Sequence, residues 1–431
     1  MDPVTAEIIA VGSEMLGTER LDTNSLYLAG RLASLGIELR LKTVVGDQRE
    51  DLASAFRQAE ARSDVIVLTG GLGPTDDDLT REVVAGVLGL PLDLDDRIVE
   101  RIRARFARRG LTMPEINLRQ AQVPRGATVL PNPNGTAPGL LIARQAPRRF
   151  IVLLPGPPRE MQPIFDAVCD GPLKAVAGLE RIYRASLFVT GRTESHVEEA
   201  AQPVYARWRE GDRPIATTIL AAPGQIELHL MLRENDSARA QATLDRAKAE
   251  LLAALGSDVF STDGRTLEQV VGDLLRSRRY TIAAAESCTG GLLLSRLTDV
   301  AGSSDYVKGG VVSYANDVKS EVLGVPADLI AAHGAVSEPV AAAMAEGVRR
   351  AAQADVAVAI TGIAGPGGGT AEKPVGTVAI AVIVPGQPVD VRMHQLFGGR
   401  TQLKFAFSQA ALDRVRRMLT TGDDGGGTGK R

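Results

Sequence analysis

Short apolar runs that close on glycine and lead at once into a helix pattern recur at both ends of this sequence. The stretches "AEIIAVGSE" (6–14), "DVIVLTGG" (64–71), "YTIAAAESCTGG" (280–291) and "DVAVAITGIAG" (355–365) all have this form. A run of four to eight apolar residues bounded by turn residues reads as a strand buried on both faces. Such strands occur in parallel sheets whose crossovers are helices. The intervening segments supply those helices. "DTNSLYLAGRLASLG" (22–36) has polar residues at its start, Leu26, Leu28, Leu32 and Leu35 on its apolar positions and a terminal Gly36. "IELRLKTVVGD" (37–47) is a strand and "REDLASAFRQAEARS" (49–63) a helix. "RRFIVLLPGPPREM" (148–161) begins as a strand that Pro and Gly bring to an end. Alternation of this kind implies right-handed βαβ units.

The middle of the chain has a different order. "YRASLFVTG", "TESHVEEAAQPVYARW", "PIATTILAA", "QIELHLML" and "SARAQATLDRAKAELLAALG" give β-α-β-β-α, with the turn at Pro223-Gly224. No group of residues in it looks catalytic, and it reads as an architectural module. A new α/β unit starts near Gly264, where Thr266 and Gln269 form a capping box ahead of Leu267, Val270, Val271, Leu274 and Leu275. The fold class expected is therefore α/β, with two α/β domains of mostly parallel sheet joined by a small α+β module. The domains fall at 1–172, 173–261 and 262–421. A glycine-rich tail at 422–431 is too polar to pack and is expected to be disordered. A length of 431 residues suits two or three domains.

Composition removes several function classes. A net charge of -3 offers no general attraction for nucleic acid. No uncharged apolar run approaches the roughly 18 residues of a membrane span. The start lacks the basic and apolar regions of a signal peptide. Cys169 and Cys288 are the only cysteines and form no CxxC pair, which suits free thiols in a reducing cytoplasm. The four histidines (His196, His229, His333, His394) lack ligand spacing, so a metal would sit on carboxylates and be a hard ion such as Mg2+.

Two stretches carry chemistry. In "TGGLGPTDDDLT" (69–80), Gly70, Gly71 and Gly73 free backbone N–H groups at a strand-to-helix turn, a seat for phosphate. Asp76, Asp77 and Asp78 follow directly. They would repel an anion unless a divalent cation bridges them, or they cap the next helix. In "AESCTGG" (285–291), Ser287 stands at a strand end just before a helix, where a hydroxyl and free N–H groups meet. Either Ser287 is a nucleophile, or Ser287 or Thr289 is a helix cap with Cys288 a buried filler. A base is needed. With no histidine nearby, Lys319 in "SYANDVK" is the candidate, with Tyr314 and Asn316 at the same loop. "AITGIAGPGGG" brings Thr361 and a loop through Gly365 to a third strand end.

The motifs "GSEMLGTERLDTN", "TGGLGPTDDDLT", "NPNGTAPG" and "LPGPPREM", with "ESCTGG", "SYAN" followed by Lys319, and "TGIAGPGG", resemble the CinA (competence/damage-inducible protein) family over nearly the whole chain. The resemblance implies an amino-terminal molybdopterin-binding-like domain with ADP-ribose pyrophosphatase activity, dependent on a divalent metal and helped by K+. Gly70, Gly71 and Gly73 would approach the phosphates, Asp78, Asp77 and Asp47 would hold metal, and Glu14 would line the pocket. It also implies a carboxy-terminal nicotinamide-nucleotide amidohydrolase that needs no cofactor and turns nicotinamide mononucleotide into nicotinate mononucleotide and ammonia, a step of pyridine nucleotide salvage. There Ser287 attacks, Lys319 takes its proton, and Tyr314 and Thr361 orient or relay. The oxyanion lies near Thr289, Gly290 and Gly291 or in the Gly365 loop. Cys288 is the competing nucleophile. "LFGGRTQLK" (396–404) places Arg400 to meet the substrate phosphate, with Lys404 where the family usually has a second arginine. A cytoplasmic homodimer follows by the same resemblance. The alternatives are a nucleotide- or pterin-binding regulatory protein without catalysis.

Overall fold

The structure is a computed structural model that describes residues 4–18, 20–146, 148–175, 180–210 and 213–421. The tail read as disordered, 422–431, lies outside the described residues. In chain order the elements begin β1 (Thr5–Val11), α1 (Asn24–Ser34), β2 (Glu38–Val45), α2 (Arg49–Arg62), β3 (Val65–Thr69) and α3 (Thr80–Leu88). Next come β4 (Leu92–Leu94), α4 (Asp96–Ala107), β5 (Gln122–Pro124), β6 (Thr128–Leu130), β7 (Gly139–Gln145), β8 (Arg148–Leu154) and α5 (Pro158–Val168). The middle segment gives β9 (Arg181–Val189), α6 (Glu194–Tyr205), β10 (Ile215–Ala222), β11 (Gln225–Glu234), α7 (Ser237–Leu255) and β12 (Val259–Ser261). The last part has α8 (Leu267–Arg278), β13 (Ile282–Glu286), α9 (Leu292–Thr298), β14 (Val307–Val312), α10 (Asn316–Glu321) and α11 (Ala327–His333). It closes with α12 (Glu338–Ala352), β15 (Val356–Gly362), β16 (Thr377–Ile383), β17 (Asp390–Gln395) and α13 (Arg400–Thr421). The α/β class is as expected. The chain divides into two compact units, Met1–Tyr183 with Leu232–Gln241, and Arg184–Met231 with the chain from Ala242 onward.

The first unit holds a six-stranded sheet in the order β2-β1-β3-β8-β7-β6. Its first four strands pair in parallel, and β8, β7 and β6 pair antiparallel. Both sheet faces are covered. Ile9, Ile66 and Leu68 pack with Leu52 and Phe56 of α2 on one face. Ile8, Val65 and Val67 pack with Leu28 and Leu32 of α1 and Phe165 of α5 on the other. Each fully buried side chain of this size contributes roughly 1.5–3 kcal/mol by leaving water.

In the second unit the four-stranded sheet runs β10-β11-β9-β12 and the five-stranded sheet β14-β13-β15-β16-β17. The larger sheet is half parallel: β14, β13 and β15 are parallel, while β16 and β17 return antiparallel. This departs from a mostly parallel reading for a physical reason. The loop from Ile363 to Gly376 contains no helix, so no crossover is available and the chain turns straight back. Strand β13 reads "IAAAE" because both its faces are covered at close range. Ala283 and Ala285 meet Met344 and Val348 of α12 on one side. Ile282 and Ala284 lie in the core that takes in Val271 and Leu275 of α8 and Phe407 and Leu412 of α13 on the other.

Candidate active sites at two sets of strand ends

In the first unit, the carboxyl ends of β1, β2, β3 and β8 surround a cavity of about 360 Å³ lined by Gly12, Glu14, Asp47, Gly70, Gly71, Gly73, Asp77, Asp78 and Glu160 among others. Gly70 has φ +103°, and a Cβ there would stand 2.1 Å from the Val11 carbonyl oxygen. Only glycine lets β3 turn this close to β1. A Cβ on Gly73 would stand 2.3 Å from Asp78 Oδ2, so the turn is shaped around that carboxylate. Thr75 donates to Asp78 Oδ2 through both its backbone N–H (2.9 Å) and its hydroxyl (2.5 Å). Asp47 accepts from the Ser13 N–H at 2.9 Å, and its own N–H donates to the Ser13 hydroxyl at 3.1 Å. Asp76 differs from its two neighbours. It pairs with Arg119 at 3.3 Å and does not line the cavity.

Glu160 was not singled out from the sequence. It lies in the first turn of α5, in the "PGPPREM" stretch, and accepts from Asn132 of the "NPNGT" loop at 2.8 Å. The usable signal was an acid at a helix start directly after a strand-ending Pro-Gly-Pro-Pro. The cavity thus has five carboxylates and no lysine or arginine among its lining residues. Among the described residues, no three His, Cys, Asp or Glu side chains converge as a ready ligand set. This donor set fits Mg2+, which is commonly held by one or two carboxylates together with water and substrate phosphate.

In the second unit, Glu286 pairs with Val312 on one side and Ile360 on the other. The next residue of each strand is therefore Ser287, Ser313 and Thr361, side by side at the sheet's carboxyl end. Ser287 continues the ladder by donating its N–H to Ile360 (2.9 Å), and Ser313 donates to Glu286 (2.7 Å). Lys319 reaches back from α10 into this row. Its Nζ lies 3.4 Å from Ser287 Oγ, 2.9 Å from the Ser313 carbonyl and 3.4 Å from the Tyr314 carbonyl. Lys319 is 1% exposed and Ser287 8%. No carboxylate pairs with the amine among the described residues, and burial pushes its pKa below the ordinary lysine value. An amine whose charged form is disfavoured by burial, standing beside a hydroxyl, can accept that hydroxyl's proton once it has lost its own.

The remaining predicted residues divide by distance from this pair. Cys288 is buried, and burial drives its thiol up to about 12, which leaves little thiolate at neutral pH. Thr289 is fully buried and its hydroxyl has no hydrogen-bond partner. The Gly290 N–H donates to the Ser287 carbonyl at 3.0 Å and the Gly291 N–H to Glu286 Oε2 at 3.0 Å. Both glycine N–H groups expected to serve an oxyanion are therefore engaged, and the N–H groups of Cys288 and Thr289 lie toward the Cys288 sulfur. Glu286 itself is fully buried and also accepts from Leu293 (3.1 Å) and Leu294 (2.9 Å). It fastens the start of α9 to the strand end that carries Ser287.

The Thr361 hydroxyl donates to the Ala335 carbonyl at 2.8 Å, not to Ser287 or Lys319. Tyr314 is largely exposed, and its hydroxyl accepts from Arg400 at 3.0 Å. Only its carbonyl touches Lys319. Arg400 also donates to the Gly365 carbonyl, joining two loops of the site. Asn316 is exposed at the first position of α10. Lys404, one turn beyond Arg400, points its Nζ to within 3.6 Å of where a Gly290 Cβ would be. Two cations on one face of α13 thus flank the Ser287 turn. Ser313 and Glu286 escaped the sequence reading. Ser313 acts through its carbonyl, which has no residue signature.

In the small sheet, Ser186, His229 and Glu227 form a hydrogen-bonded row (Oγ to Nδ1 2.9 Å, Nε2 to Oε2 3.0 Å) that no sequence motif announced. It lies across neighbouring strands, and β11 is flanked on both sides, so ladder bonds occupy the nearby N–H groups.

These two sites define a protein with two α/β units, one carrying a carboxylate-lined cavity at its strand ends and the other a Ser–Lys pair. Comparison agrees. The family profile described as "Probable molybdopterin binding domain" matches residues 7–175, and the CinA C-terminal domain matches residues 264–419. A CinA-like protein of Koribacter versatilis is 47% identical over 416 residues, covering 96% of this chain and 99% of its own. A putative competence-damage inducible protein of Symbiobacterium thermophilum is 47% identical over 425 residues, covering 96% and 98%. A solved structure, the competence/damage inducible protein CihA from Agrobacterium tumefaciens, is 41% identical with a TM-score of 0.35, covering 36% of this chain and 93% of that one. The chain belongs to the CinA family. Among the described residues, no helix is long and apolar enough to cross a membrane.

Proposed function

We propose that the carboxy-terminal domain hydrolyses the carboxamide of nicotinamide mononucleotide. The observation that supports this reading is the contact of Lys319 Nζ with Ser287 Oγ at 3.4 Å in a buried setting without a carboxylate partner for the amine. Ser287 Oγ attacks the carboxamide carbon while its proton passes to Lys319 Nζ. The lysine then protonates the departing nitrogen, ammonia leaves and an acyl ester remains on Ser287. Water, deprotonated by the same amine, cleaves the ester to give nicotinate mononucleotide and restore the hydroxyl. Arg400 and Lys404 face the phosphate.

The amino-terminal cavity supports a second hydrolytic reading, metal-dependent cleavage of the pyrophosphate of ADP-ribose. One or two of Asp47, Asp77 and Asp78 would hold a divalent ion together with water and substrate phosphate, with Glu14 and Glu160 as further carboxylates lining the same cavity. Such an ion, when bound, neutralises phosphate oxygens and activates water. Gly70, Gly71 and Gly73 keep side chains out of the phosphate's path.

Ammonia release from nicotinamide mononucleotide tests the first reading. Wild-type protein and Cys288→Ala are expected to release ammonia, and Ser287→Ala to release none. Loss in Cys288→Ala with retention in Ser287→Ala would transfer the nucleophile to the cysteine.

A further inference from the structure

The second unit contains a larger hollow away from the Ser287–Lys319 contact. It is about 990 Å³ and lies between the small sheet and the last helix. One wall is the loop after β9 and the β10–β11 turn, the other β17 and the middle of α13. The turn is seated closely, since a Cβ on Gly224 would stand 2.9 Å from Gln409 Cγ. Thr190 Oγ fixes the two loops by donating to the Gly224 carbonyl at 2.9 Å.

The lining has an uneven charge. Arg192, Arg392, Arg414 and Arg417 face it, against Asp258 and Asp413. Arg417 bonds Asp413 at 2.7 Å and Asp258 at 2.8 Å, Arg192 also bonds Asp258, and Arg392 and Arg414 share Asp390. A guanidinium has five N–H donors. These carboxylates anchor the forks and leave further donors, so the arginines are held in place while a positive excess persists. That excess occurs in a chain whose overall charge is -3. Between these groups the lining is apolar, with Ile226, Leu396, Ala406 and Ala410.

We propose that this hollow is a second ligand site for a phosphate-bearing compound with a flat apolar body, the chemistry of a nucleotide. The arginine forks take the phosphate and the aliphatic side chains of the lining take the ring. Its volume lies at the upper end of small-molecule pockets, about 300–1,000 Å³. The charge logic is opposite to that of the amino-terminal cavity, whose carboxylates call for a cation. Binding here needs none.

The test is calorimetric titration of the full-length protein with ADP in excess EDTA, with adenosine as the phosphate-free control. One saturable ADP site is expected, with adenosine at least ten-fold weaker. Arg192→Glu, on a partly exposed loop, is expected to weaken ADP at least ten-fold. Ala410→Trp, which fills the hollow, is expected to do the same. Melting curves confirm that each variant is folded. Asp78→Ala and Arg400→Ala, in the other two sites, are expected to leave the affinity unchanged. No ADP binding in EDTA, affinity within two-fold of wild type in folded Arg192→Glu, or loss of binding in Asp78→Ala or Arg400→Ala would overturn the proposal. None of these readouts depends on either hydrolytic activity.

Discussion

The two strand-end sites use one backbone plan and opposite chemistry. In each, a buried parallel strand turns on glycine toward a helix, and a neighbouring strand end supplies a second group. In the amino-terminal cavity the residues after the turns are carboxylates, partly solvated and fixed by Ser13 and Thr75. At the Ser287 end they are hydroxyls and one amine, nearly inaccessible to water. Burial decides the difference. A carboxylate cluster that keeps water can stay charged and hold a cation, whereas a lone amine without water or counter-ion sheds its proton more readily. Topology provides the position, and the residues one to three places beyond each strand decide what happens there.

That contrast is broken most severely by Ser287→Ala. It is expected to lower ammonia release from nicotinamide mononucleotide by at least about 10³-fold while metal-dependent ADP-ribose cleavage is unchanged. Parallel assays of both substrates on one preparation check this. Lys319→Met is next, with a loss of about 10²–10⁴-fold in the amide reaction alone. It also sharpens the burial argument. The Lys319 pKa is lower in the folded protein than the unfolded value near 10.5, so the unfolded chain binds more protons between the two values. The penalty is complete below the folded pKa and is relieved as pH rises toward the unfolded one. Lys319→Met is therefore expected to raise the melting temperature at neutral pH, and a lowered one would show that the amine is structural.

Asp78→Ala breaks the other half. ADP-ribose cleavage is expected to fall roughly 10–100-fold, with a higher metal requirement and normal ammonia release. A smaller effect is expected from Gly70→Ala, which sets a methyl 2.1 Å from the Val11 carbonyl oxygen at φ +103°. Chemical denaturation should show a loss of roughly 1–3 kcal/mol. Tyr314→Phe should change the amide reaction least, within a few-fold, because it removes a single exposed bond to Arg400. A loss as large as that of Lys319→Met would mean that the phenol, not the carbonyl, serves the amine.

Much of this arrangement was legible in the residues because glycine at a strand end and a hydroxyl or acid after it are side-chain signals. The strands carrying Ser287 and Thr361 and the turn carrying Asp77 and Asp78 could be read directly. Long-range choices could not. Nothing in "TDDD" says that Asp76 turns to Arg119 while its neighbours face the cavity. The Thr361 hydroxyl looked available until the fold placed the Ala335 carbonyl beside it. The backbone carbonyls that hold Lys319 belong to residues whose types are immaterial. The antiparallel return of β16 and β17 has no signature in the strands themselves and follows from the helix-free loop before them. The arginine-lined hollow has contributions from five separate stretches, and its pairing is visible only after folding.

The central claim is that burial makes the Lys319 amine, lying against Ser287, lose its proton more readily than an ordinary lysine. An NMR titration of the lysine Cε–Hε signals, with Lys319 assigned by its disappearance in Lys319→Met, measures this directly. A midpoint clearly below 10.5 in wild type, moving when Ser287 is changed to alanine, is the expected result. A midpoint at or above 10.5, insensitive to Ser287, would contradict it.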